Sequence, residues 1–220
     1  MNDVKEFRTI RLVFSKTGRA RYMSHLDLNR AMIRALRRAK LPVWYTEGFN
    51  RHPYVTFAAP LSLGYEGLHE TMDLRLEEDV PMEELVSRLG AVLPEGLRAL
   101  SAAAAVRKPG EVAAARYELL FSCPACAVRA LLERDSLPVQ KRTKKKTMRT
   151  VDLKPALTAS GWELREEGDG CRLELTLPCG TESLNPGLLT EALRALPGMD
   201  GTPCRIRRLE VYGSDGEPFR

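Results

Sequence analysis

His25 and His52 are two of only three histidines in 220 residues, and they flank the first stretch that reads as a helix. Together with Tyr22, Tyr45, Lys16 and Arg51 they make up the group types that metal-independent cleavage of a phosphodiester uses. One group takes the proton of a 2′-hydroxyl and another protonates the leaving oxygen. A plainer reading of the same residues has His25 packing at a helix start and His52 bracing a loop. Both readings stand on the sequence.

The other chemistry-bearing residues are basic. Arg30, Arg34, Arg37 and Arg38 recur at spacings that put them on one side of a helix, away from Leu28, Met32, Ala35, Leu36 and Ala39. No glutamate is interleaved among them, so the row suits phosphate contact as well as it suits the helix dipole. KRTKKKTMRT (141–150) holds six basic residues, Lys141, Arg142, Lys144, Lys145, Lys146 and Arg149, and no acidic one. Like charges this close repel, and the composition fits an arm that orders on a polyanion. Between these lies GFNRHPYVTFAAPLSLG (48–64), where Gly48 and Pro53 set bends and Asn50, Arg51 and His52 project from the turn. Glu70 falls, by strand alternation, on the face of Met72, Leu74 and Leu76, where a carboxylate needs a partner. Arg51 or His52 is the expected one.

Metal and cofactor chemistry find no support. Five cysteines (Cys123, Cys126, Cys171, Cys179, Cys204) include one C-x-x-C, with no second pair at ligand spacing. The chain has no phosphate-cradling glycine motif, so no metal and no cofactor are expected. With 44% hydrophobic and 29% charged residues and a net charge of +5, it reads as a folded, mildly basic protein. Its apolar runs are too short for a membrane span, and MNDVKEFRTIRLVF is not a secretory signal, so the expected location is cytoplasmic.

The elements that must carry these residues follow a repeated order. FRTIRLVFSK (7–16) alternates as a half-buried strand. Ser24 with Asp27 caps a helix that stops before Leu41-Pro42. Strands near 54–59 and 69–78, a helix over 82–93 and a strand over 96–103 complete β-α-β-β-α-β. After an Ala-rich linker (104–115) the order returns, with strands at 116–122, 162–167, 171–177 and 204–213 and helices at 124–135 and 186–196. The expected fold is α+β, two tandem ferredoxin-like units over 1–103 and 116–220. Each has an insertion after its first helix, residues 41–53 and the basic 136–161.

Lys16 with Gly18, RYMSHLDLNRAMIRALRRAKLPVWYTEGFNRHPYVTFAAPLSLG (21–64), Glu70 and Asp73, and the KRTKKK…VDLKP stretch (141–155) resemble the radical-SAM-linked proteins, a bacterial domain family of unknown function. Arg51 stands where the family pattern more often has proline, and Gly67-Leu68 loosens the spacing before Glu70. The resemblance implies a separately encoded radical SAM partner and an RNA setting. The resulting expectation is an RNA-binding accessory module, without a reaction of its own, that presents tRNA or ribosomal RNA to that enzyme. Two alternatives stay open. One is a metal-independent endoribonuclease using His25 and His52, since the tandem layout is also similar to CRISPR repeat-processing endoribonucleases. The other is a protein–protein adaptor that touches no RNA.

Overall fold

The computed structural model describes residues 8–142, 146–180 and 183–220. The chain is mixed α+β with mostly antiparallel strand pairing. It divides into one unit of Met1–Val112 with Glu210–Arg220, and a second of Ala113–Leu209.

In the first unit Ile10, Leu12 and Phe14 set the core face of β1 (Arg8–Lys16). α1 (His25–Arg38) starts at Ser24, whose Oγ accepts the Asp27 N–H at 3.1 Å and donates to the Asp27 carboxylate at 2.6 Å. That satisfies one of the amides a helix start leaves orphaned. The helix ends where Lys40 turns to φ 52. There Arg88 of α2 (Met82–Gly90) donates to the carbonyls of Ala39 and Lys40. β1 lies between β3 (Glu66–Leu76) and β4 (Leu97–Ala104), and β2 (Val55–Phe57) pairs with β3, all antiparallel. Leu28, Met32, Ala35 and Leu36 of α1 and Leu85 and Leu89 of α2 pack with Ile10, Leu12, Phe14, Met72 and Leu74 as one buried cluster. The apolar stripe read from α1 is its buried side.

In the second unit β9 (Gly170–Pro178) pairs antiparallel with β5 (Val112–Phe121) and with β8 (Trp162–Glu167). α3 (Ala125–Leu132) and α5 (Gly187–Arg194) bury Val128, Leu131, Leu189 and Leu193. β10 (Cys204–Gly213) belongs to this unit through Leu209, and from Glu210 to the first.

Two segments differ from the sequence expectation. Most of 104–115 is ordered: a 3-10 turn covers Pro109–Glu111 and β5 begins at Val112. Alanines here take their conformation from ladder partners, as Ala104 does opposite Ile10 and Ala115 opposite Leu177, because pairing outweighs weak intrinsic preference. The insertion after α3 is also structured. β6 (Pro138–Arg142) and β7 (Met148–Asp152) form a hairpin with Lys141 opposite Arg149, followed by α4 (Lys154–Ser160). Leu137, Val139, Leu153 and Leu157 are buried beneath it, which anchors a segment whose charge alone would favour solvent.

Candidate nucleic-acid interface

The stretch between α1 and β2 is a small ladder. Trp44 N–H donates to Arg75 O, Tyr54 N–H to Trp44 O and Thr46 N–H to His52 O, and Tyr45 bridges Pro53. Residues 47–51 cross its tip. Gly48 has φ 121, a conformation that side chains resist. Asn50, Arg51 and His52 are exposed at the neck of the tip, and Phe49 is 103% exposed.

His52 Nδ1 lies 3.0 Å from the Asn50 carbonyl oxygen and 3.2 Å from Thr46 Oγ1. A carbonyl only accepts, so that contact keeps the proton on Nδ1 and leaves Nε2 to accept. His25 meets different neighbours: its ring packs edge-on against Phe57 at 5.1 Å. Phe57 is five residues beyond His52 on extended chain, about 16 Å along it. Among the described residues no hydrogen bond, ion pair or ring contact joins the two histidines.

The arginine row on α1 is exposed. Its members differ in what they touch. Arg38 Nη2 donates to Val92 O at 2.7 Å, tying α1 to the end of α2. Arg37 Nε donates to Tyr45 OH at 3.3 Å. Arg30 lies 3.9 Å from Asp27, one helical turn away. Arg34 makes no hydrogen bond or ion pair among the described residues.

Glu70 is buried at 4% exposure, opposite Phe14 in the β1–β3 register. Its carboxylate folds over Gly67, where any Cβ would collide with it. The expected partners lie elsewhere, since His52 is engaged at the ladder and Arg51 is exposed. Lys16 and Gly18, both within the resemblance, are held in structural contacts. Lys16, 1% exposed, donates from Nζ to Met23 O at 3.0 Å and Arg21 O at 3.3 Å, and Gly18 N–H donates to Glu66 Oε1 at 3.0 Å. These bonds fix the turn that leads into α1.

In the basic hairpin Lys141 Nζ donates to Ser183 O at 2.6 Å, while Lys146 and Arg149 are exposed. Lys144 and Lys145 lie outside the described residues, as does the side chain of Arg142. Asp152 accepts from Leu137 N–H at 2.8 Å and Lys154 N–H at 2.9 Å. Those backbone donors hold its carboxyl below the usual range.

Sequence reasoning passed over two groups. Phe49, fully exposed, is a ring face at the loop tip, signalled only by a single aromatic in a polar segment. The thiols of Cys123 and Cys171 lie close enough to influence each other's ionisation, although the two are far apart in sequence. The register that sets Cys171 opposite Phe121 brings them together. All five cysteines are free thiols. Burial pushes Cys171 up to about 12 and Cys204 up to about 11. Among the described residues no three His, Cys, Asp or Glu side chains are placed to hold a metal ion, and no helix is long and apolar enough to cross a membrane.

An α+β chain with arginines on a helix and aromatics on adjoining loops defines a class by its fold, and comparison gives the family. The family described as "Uncharacterized protein conserved in bacteria (DUF2344)" matches residues 9–186, and the chain belongs to it. No curated protein matches. Among solved structures the chain is similar to "Crystal Structure of an Unknown Protein from Galdieria sulphuraria", at 12% identity over 92% of this chain and 99% of that one, with a TM-score of 0.29.

Proposed function

We propose that this chain is a cytoplasmic RNA-binding accessory module that presents structured RNA, tRNA or ribosomal RNA, to a separate radical SAM enzyme. The observation that carries the RNA reading is the exposed row Arg30, Arg34 and Arg37 on α1. Only Arg30 has a carboxylate near it, at 3.9 Å, and Arg34 has no partner among the described residues. Arginines left free of internal ion pairs can neutralise backbone phosphates. In the first unit Asn50 and Arg51 are proposed as further RNA contacts. The basic composition of Lys141, Arg142, Lys144, Lys145, Lys146 and Arg149 makes that stretch of the second unit a proposed second clamp. The radical SAM partner rests on the resemblance over residues 16–73 and 141–155.

Tandem ferredoxin-like units belong to the same proposal. The order β4-β1-β3 with β2 on β3 supports it in the first unit, and β5-β9-β8 in the second.

Filter binding of total RNA tests the reading. Retention should fall steeply as salt rises, and Arg34→Glu with Arg37→Glu should lower it. Salt-insensitive retention, or none, ends the RNA reading. Nuclease-resistant co-purification with a radical SAM protein would then favour an adaptor. EDTA-resistant cleavage lost in His52→Ala would favour the endoribonuclease.

A further inference from the structure

Arg75 projects from β3 at a place where its neighbours give it ring faces and no acceptor. The register pairing Val55 with Leu74 brings Tyr54 alongside Arg75. Its guanidinium carbon lies 4.3 Å from the Tyr54 ring centre and 5.3 Å from that of Trp44, and the two rings are 5.9 Å apart. One cation therefore rests on two ring faces. Among the described residues it makes no hydrogen bond and no ion pair, and its Nε is closed off from solvent without a partner.

The nearby carboxylates explain why. Asp73, two residues back on the same face, has both oxygens taken by Arg11 at 2.8 Å. Glu77, two residues on, is exposed and forms no ion pair with it. An arginine with five donors and none bonded to protein is unusual at a half-buried position. The rings hold its plane in place, so little side-chain freedom remains to be lost when an acceptor arrives.

The geometry points to Arg75, laid over Trp44 and Tyr54, as a phosphate-docking site for single-stranded RNA. This rests on the RNA reading above and gives it a strand type. Trp44 and Tyr54 form the base of the same ladder whose tip carries the fully exposed Phe49. A bare ring at a loop tip serves an unstacked base, and a base inside a duplex cannot reach it. The Nη groups suit a phosphate because a guanidinium grips two of its oxygens at once.

Trp44 itself reports occupancy. With Trp162→Phe as the background, emission comes from Trp44 alone, since the chain has two tryptophans. Oligouridine of about 12 nucleotides should change that emission saturably, with weaker binding at higher salt. Arg75→Gln should weaken binding about tenfold, and Arg75→Lys should weaken it less, keeping charge without the fork. Because the Trp44 signal is read with Arg75 intact, an unstable Arg75 variant does not remove the test. The site is overturned if a fully paired RNA duplex binds as tightly as oligouridine, or if inorganic phosphate at the same concentration gives the full change. It is also overturned, with the accessory-module reading intact, if RNA binds in a salt-sensitive way while Trp44 emission stays constant. Absence of all RNA binding overturns both.

Discussion

Arg11 and Asp73 face each other across β1 and β3, and the guanidinium of the first bonds both oxygens of the second at 2.8 Å. The pair is buried, with Arg11 also donating to Arg107 O at 2.7 Å and stacking on Phe219 at 3.9 Å. Removing one partner leaves the other charge buried and alone, which costs far more than the pair is worth intact. Asp73→Ala is expected to lower stability by about 3–5 kcal/mol in urea unfolding. Replacing both by apolar residues of similar volume should recover most of that loss. A double variant no more stable than Asp73→Ala would show that the pair is not the source.

The α1 arginines should separate by role. Arg34→Ala removes a charge with no hydrogen bond or ion pair among the described residues, so stability should hold while the salt dependence of RNA binding flattens by about one unit of slope. Arg38→Ala removes the bond to Val92 O and should cost about 1 kcal/mol of stability. Paired thermal melts and binding isotherms check both. Equal melting losses for the two variants would contradict the division.

Cys171 and Cys204 make the second unit sensitive to alkali. Burial keeps both thiols protonated when folded, with values of about 12 and about 11 against an ordinary 9.0. Between those values the unfolded chain has released protons that the folded chain retains, so stability falls as pH rises. The contribution is complete below pH 9.0 and is lost on the way to about 12. Melting temperature should decline over that window, and Cys171→Ala with Cys204→Ala should shallow the decline. At neutral pH an alkylating reagent should label exposed Cys126 well before Cys123 or Cys171.

Asp152 fastens the entrance of the basic hairpin. The amides of Lys154 and Leu137 lower its carboxyl, so its contribution is present above the ordinary 3.8 and is lost as pH falls through the lower folded value. Asp152→Ala should loosen the hairpin at neutral pH. Trypsin cleavage at Lys146 or Arg149 should then quicken several-fold, with the rest of the chain equally resistant.

Local signals made α1 legible in the sequence: Ser24 and Asp27 fix its start, and the period of Leu28, Met32, Ala35 and Leu36 fixes its buried side. The arginine row follows from the same periodicity. Contacts set by register were not legible. Alternation marks Arg11 as the outward residue of a half-buried strand, yet Phe219 from the far end of the sequence covers it. Alternation marks Glu70 as a carboxylate on an apolar face, and it is buried, but Arg51 and His52 follow the ladder of residues 43–54. Nothing local in the sequence shows that Arg75 meets ring faces and no acceptor, because Arg11 takes Asp73 and the ladder brings in Trp44 and Tyr54.

The return of Glu210–Arg220 to the first unit imposes an order on synthesis. Everything in Ala113–Leu209 is made between the strand that carries Arg11 and the segment that carries Phe219. Until that later segment emerges, Arg11 and Asp73 are paired under an open roof, and the loop to be closed spans most of the chain. The entropic cost of so long a closure rises only slowly with length, but it is met last. A ribosome stalled at Leu209 would therefore hold a first unit with its strands and helices drafted and its central ion pair still wet.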